Sequence, residues 1–186
     1  MGVKLRPSDY VHLHNHTHHS LLDGLTKIPD LINRTKELGM EAVAITDHGT
    51  MSGSIEFYKA AIDAGIKPIL GFEAYVASRS RYDRDPSKDK ARFHITLLAM
   101  NNQGYQNLMQ LSTLAHLEGA YYKPRVDHEL LEKYGEGLIV LSGCAGSEVS
   151  MSLRGDNYQA AKDIALWYKS VSVSYTHLTL PTKRIV

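Results

Sequence analysis

The chain has 186 residues, 43% hydrophobic and 22% charged, with a formal net charge of +1; this is ordinary globular usage, enough for one domain with a real core, and it argues against a disordered tail or a membrane protein. So small a charge excludes a strong attraction of the whole chain to polyanions and leaves local basic patches open. A single cysteine, Cys144, excludes an intrachain disulfide and fits a reducing cytoplasm, while the absence of a signal-peptide core, a myristoylation pattern or a run of ~18 apolar residues gives no expectation of membrane attachment.

In chain order, residues 10–13 read as a first strand. Ile28, Leu31, Ile32 and Leu38 then recur at helical spacing, with Pro29 near the first turn and Gly39 past the end. The run AVAIT (42–46) reads as a short buried strand, DHGTMSG as a loop, and residues 55–64 as a helix ending before Gly65. Residues 67–76, 93–100 and 137–142 supply further strands, and residues 102–117 a long helix carrying Tyr105, Leu108, Met109 and Leu111. Another amphipathic helix is expected over 157–169, with Ala161, Ile164, Ala165, Trp167 and Tyr168 as its apolar positions. Strands alternating with helices predict an α/β fold with a parallel sheet covered by helices. The unusual polar residues fall after or late in strands, at the sheet edge where sites of α/β folds assemble.

The densest of them is HLHNHTHHS, which holds five of the ten histidines in eight positions. His12, His14 and His16 alternate, so in an extended segment they share a face about 6.5–7 Å apart, close enough for imidazoles to converge on one ion or on neighbouring ions. A purification tag fits poorly, because the run is interrupted and flanked by an apolar strand and SLLDG; a solvated histidine loop is the simpler alternative. Downstream, Asp23, Asp47, His48, Glu73, His94 and Cys144 are each weak signals. His94 alone could be a hydrogen-bonded core residue, Glu73 an ion-pair partner and Cys144 a small buried apolar residue. Taken together, imidazoles with carboxylates point to divalent transition metals such as Zn, Mn or Fe.

Five motifs in this order, HLHNHT with LLDG, AITDHGTMSG, GFEAYV, FHITLLAMN and LIVLSGCAGSE, resemble the PHP (polymerase and histidinol phosphatase) domain at the N-terminus of the bacterial replicative DNA polymerase III alpha subunit. The stretch YYKPRVD resembles the alpha subunit more than a free-standing phosphatase. The resemblance covers residues 10–171, after a lead-in over 1–9, and implies a distorted seven-stranded β/α barrel holding up to three metal ions. Carried over motif by motif, the implied ligands are His14, His16, Asp23, His48, Glu73, His94 and Cys144, the first six also forming the catalytic set through bound metals. Asp47 and His12 are expected to support them from behind, Asp47 by orienting a histidine. His18 and His19 match no motif position and are expected to be solvent-exposed loop residues.

The implied chemistry is metal-assisted phosphoester hydrolysis without a nucleophilic side chain, of the 3′ to 5′ proofreading exonuclease type. The implied partners are DNA and other replicase subunits, and the parent would be a DNA-directed DNA polymerase in the cytoplasm. Alternatives are a phosphoesterase of the histidinol-phosphatase type and a non-catalytic structural or docking module. Lys123 and Arg125, beside two tyrosines, are candidates either for DNA contact or for packing within the domain, whereas the mixed-charge loop SRSRYDRDPSKDKAR is expected to be a solvated loop. The family's last ligand pair, Asp-x-His, does not occur after Cys144, so the barrel is expected to be incomplete at its C-terminus. Residues 172–186 depart from the family pattern and are read as an artefact rather than native continuation.

Overall fold

In a computed structural model of the chain, residues 6–21, 23–172 and 174–176 are described. Most of the tail set apart at 172–186 and the first part of the 1–9 lead-in lie outside them. The elements are α1 (Ile28–Glu37), β1 (Ala42–Ile45), α2 (Ser54–Asp63), β2 (Lys67–Ala77), β3 (Arg92–Ala99), α3 (Asn102–Leu117), β4 (Ala120–Tyr121), β5 (Lys123–Val126), α4 (His128–Tyr134), β6 (Leu138–Leu141), α5 (Glu148–Arg154), α6 (Tyr158–Val171) and β7 (Ser174–Thr176). The seven strands form one sheet in the order β4-β5-β2-β3-β6-β7, with β1 beside β2. The α/β class and the seven strands agree with expectation, and among the described residues the sheet does not close on itself.

The sheet is mixed rather than parallel. β2 pairs antiparallel with β3, β3 with β6, and β4 with β5. The reason is the connection from β2 to β3, residues 78–91, which carries no helix and returns the chain as a long hairpin instead of a crossover. The expected first strand is also reduced to one bridge: His12 pairs with Val43, with the Ala44 N–H donating to the His12 carbonyl at 2.9 Å. The segment from His12 to His16 therefore runs beside β1 without becoming a regular strand.

β2 organises the core and the polar face together. Phe72, Ala74 and Val76 point into the cluster that holds Leu108, Leu111 and Ala115 of α3 and Ile95 and Leu97 of β3. By the period of two, Glu73 and Tyr75 must project to the other face. A second cluster, Ile28, Ile32, Val43, Ile45, Phe57 and Ala61, packs α1 and α2 against β1.

The mixed-charge loop after β2 is not a free solvated loop. Arg81 is 5% exposed and Asp89 1% exposed. Arg81 binds the Asp127 carboxylate at 3.0 Å and Glu118 at 2.7 Å, and Arg79 binds Asp89 at 2.6 Å. Of the two readings of Arg125, packing and DNA contact, the structure supports packing: the side chain is fully buried. Its guanidinium donates to the carbonyls of Gly119, Arg81, Asp83 and Asp89, so it anchors this loop and cannot reach a ligand in solvent.

Candidate metal centre

Chain register brings the site together. After β1 the chain keeps the same offset along β2, so that His48 bridges Glu73 as Ile45 pairs with Leu70. The Glu73 N–H donates to the Asp47 carbonyl at 3.0 Å, and the Gly49 N–H donates to the Glu73 carbonyl at 2.8 Å. Gly49 makes this turn at φ +64°, where a Cβ would also meet Pro124 at 2.9 Å, which accounts for the glycine of DHG. On the opposite edge of β2, His94 pairs with Tyr75, and its ring comes to the Glu73 face. Cys144 follows β6, in a loop held to β3 by the His94 N–H donating to the Gly146 carbonyl at 3.2 Å. His94 thus reaches the site from the N-terminal end of an antiparallel strand, and Glu73 from the middle of β2, rather than both from strand C-terminal ends.

The Glu73 carboxylate, 2% exposed, is the hub. Its Oε2 lies 2.7 Å from His14 Nε2 and 3.0 Å from His16 Nε2, and its Oε1 lies 3.0 Å from His94 Nδ1. His14 Nε2 and His16 Nε2 are 3.0 Å apart. His48 Nε2 is 2.8 Å from Asp23 Oδ2, which is 3.6 Å from His16 Nδ1. Three overlapping donor sets result, His14–His16–Glu73, His16–Asp23–His48 and His48–Glu73–His94, with donor atoms in each within 4.8 Å of one another.

The titration behaviour follows from this packing. Burial alone would raise the Glu73 pKa, but hydrogen bonds from His14, His16 and His94 outweigh it and hold the carboxyl well below the usual range. His94 is pushed up to about 9 by its contacts with Cys144 and Glu73. Burial pulls the His16 pKa down, yet Glu73 and Asp23 more than compensate and raise it. His48 goes the other way, lowered by burial and by neighbouring His16 and His94 despite Glu73.

Divalent transition ions fit this donor set. The set is imidazole and carboxylate, the combination such ions take. In addition, His48 Nδ1 is buried with no hydrogen-bond partner among the described residues, 3.6 Å from Glu73 Oε2, an arrangement that costs free energy unless a ligand occupies it.

The six His, Asp and Glu positions read from the motifs are thus brought together. Cys144 is exposed, with Sγ 3.8 Å from His94 Nδ1, and belongs to none of the three sets. Asp47 supports the site differently from expectation: its Oδ1 accepts the Thr17 N–H at 2.5 Å and its Oδ2 the Thr17 hydroxyl at 2.8 Å, so it fixes the backbone after His16, and among the described residues it hydrogen-bonds to no imidazole. The exposed His12 side chain meets the Tyr10 ring at 4.8 Å and supports β1 through its carbonyl. Lys123 lines a cleft of about 250 Å³ with His48, Tyr75 and His19, and its Nζ lies 5.7 Å from the Tyr75 ring centroid.

Two contributors escaped the sequence reading. The buried Ser20 hydroxyl donates to Asp23 Oδ1 at 2.6 Å, accepts the His48 N–H at 3.0 Å and lies 3.2 Å from His16 Nδ1. Tyr75 stacks on His48 at 5.3 Å and 10° and meets His94 edge-on at 5.1 Å. Its position two residues after Glu73 was the available signal.

The family model of the PHP domain matches residues 12–177, a span that includes the short strand β7. Among curated relatives, DNA polymerase III subunit alpha of Borreliella burgdorferi is 46% identical over 165 residues, and that of Thermus aquaticus 49% identical over 166 residues. These alignments take in 88% and 87% of this chain but only 14% and 13% of the relatives. A solved amidohydrolase from Chromobacterium violaceum is 15% identical, with a TM-score of 0.48, covering 91% of this chain and 88% of that one. The match of family model and relatives, along the motifs that build the site, means that this chain belongs to the PHP domain family.

Proposed function

We propose that the Glu73 centre is a metal-dependent phosphoesterase site that acts on the 3′ end of DNA, removing nucleotides in the 3′ to 5′ direction within an alpha-subunit replicase. The observation that carries this reading is the convergence of His14, His16, His48 and His94 on one buried, ionised carboxylate, with His48 Nδ1 lacking a hydrogen-bond partner among the described residues. Bound Zn, Mn or Fe ions, up to three, would supply Lewis-acid polarisation and water activation.

The protein's own groups do the rest. His14, His16 and Glu73 would hold one ion, Asp23 and His48 would extend the site towards solvent, and His94 with Cys144 would close its far side. Ser20 fixes Asp23 against His16, and the Tyr75 ring fixes the plane of His48, so that the donors are preorganised. Lys123, at the cleft, meets a non-bridging phosphate oxygen and positions the strand. Polymerase activity, and contacts with other replicase subunits, belong to the remaining length of such a protein and are proposed with it.

The test is release of the labelled nucleotide from a 3′-labelled single-stranded oligonucleotide, with added Zn, Mn or Fe. Wild type releases it and His14→Ala does not. Release at the wild-type rate by His14→Ala would reject the assignment, and hydrolysis of histidinol phosphate but not of the oligonucleotide would favour the histidinol-phosphatase type. Metal binding with neither activity would favour a docking module.

A further inference from the structure

The two histidines with no motif position face a third potential ligand. His18 and His19 occupy the centre of a turn closed by the Ser20 N–H donating to the Thr17 carbonyl at 2.8 Å. In extended chain, neighbouring residues point to opposite faces; this turn instead brings the two imidazoles to one side, with ring centroids 4.3 Å apart. Across from them, on the first turns of α2, Glu56 Oε2 lies 3.3 Å from His19 Nε2. One ligand atom from each of His18, His19 and Glu56 can be chosen so that the three lie within 4.8 Å of one another.

We propose that His18, His19 and Glu56 form a second binding site for a divalent transition ion, on the rim of the cleft and separate from the Glu73 centre. Two imidazoles and a carboxylate are a donor set suited to zinc and its neighbours in the transition series. Bonds of about 2.0–2.1 Å in a tetrahedron put donors roughly 3.3 Å apart, which is the separation already present between His19 and Glu56; rotation of the exposed His18 ring closes the third side. The scaffold is stiff where it must be. Thr17 is held at both its N–H and its hydroxyl by the buried Asp47 carboxylate, and the His19 ring packs over Gly53, where a Cβ would stand 2.8 Å from His19 Cδ2. His19 lines the same cleft as His48 and Lys123, so an ion here adds positive charge at its mouth and keeps coordination positions open towards an anionic ligand.

The experiment is equilibrium dialysis of the 186-residue chain against zinc, with bound metal counted by elemental analysis, for wild type, His18→Gln, Glu56→Gln and Glu73→Gln. His18→Gln and Glu56→Gln should each lose one ion or bind it at least tenfold more weakly, while Glu73→Gln retains that ion. Both rim side chains are exposed, so their replacement leaves the core intact, and a thermal melt of each variant checks it. Unchanged stoichiometry and affinity in both rim variants would overturn the proposal and leave His19 and Glu56 as a plain hydrogen-bonded pair. Failure of the Glu73 reading has a different signature, namely full metal content in Glu73→Gln with the rim variants still deficient.

Discussion

Two polar clusters lie within the same small sheet, on neighbouring parts of β2 and β5. In the first, Arg125 and Arg81 are buried, and the side chain of each finds acceptors in the protein: four carbonyls for Arg125, and the carboxylates of Asp127, Glu118 and Glu129 for Arg81. In the second, four imidazoles crowd one carboxylate, and a buried ring nitrogen, His48 Nδ1, has no hydrogen-bond partner among the described residues. Burial of a charge is tolerable when the protein itself completes its hydrogen bonds. The Arg125 cluster is complete and acts as structure, binding the 78–91 loop to β5. The Glu73 cluster leaves His48 Nδ1 without a hydrogen-bond partner among the described residues, and the proposed metal site rests on that difference.

The sharpest way to break this contrast is to remove each hub. Glu73→Gln should lower phosphodiester hydrolysis by about three orders of magnitude, equivalent to about 4 kcal/mol of barrier, with the fold retained, as read by a rate assay beside a thermal melt. Arg125→Met should do the reverse: it strands several buried carbonyls at about 1–3 kcal/mol each, so urea unfolding should register a loss of at least about 3 kcal/mol. If Arg125→Met were as stable as wild type and selectively inactive, the division of roles between the clusters would be wrong.

Smaller effects sharpen the second cluster. Ser20→Ala frees Asp23 and His16 from their common tether and should weaken metal binding about 10- to 100-fold, measurable by competition with a chromogenic chelator. Metal binding should also depend on pH. His94, raised to about 9, is protonated below that pH in the metal-free protein and must lose its proton to coordinate, so affinity should fall by about tenfold per pH unit as pH drops below about 9. A flat affinity between pH 6 and about 9 would contradict coordination through a His94 whose pKa is raised to about 9. Lys123→Ala should act least, raising KM for the oligonucleotide severalfold and flattening its salt dependence while leaving kcat nearly unchanged.

The same contrast explains what was legible in the sequence. The metal candidates stood out because imidazoles and carboxylates at His14, His16, Asp23, His48, Glu73 and His94 are unusual beside apolar strands, and family motifs fixed their order. The structural arginines were opaque, since a charge-rich stretch reads as solvated unless its partners are known, and the acceptors of Arg125 lie 6 to 44 positions away. β3 was read as parallel because nothing local in FHITLLAM encodes strand direction; the helix-free connection before it does. The pair β4 and β5 was obscured by Tyr122 at φ +59° and by Pro124, which interrupt any strand pattern. Glu73 and Tyr75 escaped notice as one face because residues 71–77 of β2 are all buried, hiding the alternation that separates site from core.

The most direct test of the account is the metal content of the purified chain after reconstitution with Zn, Mn or Fe, comparing wild type with Glu73→Gln. Wild type should retain at least one tightly held ion that the variant lacks under identical dialysis. Equal metal content in the two proteins would contradict this expectation.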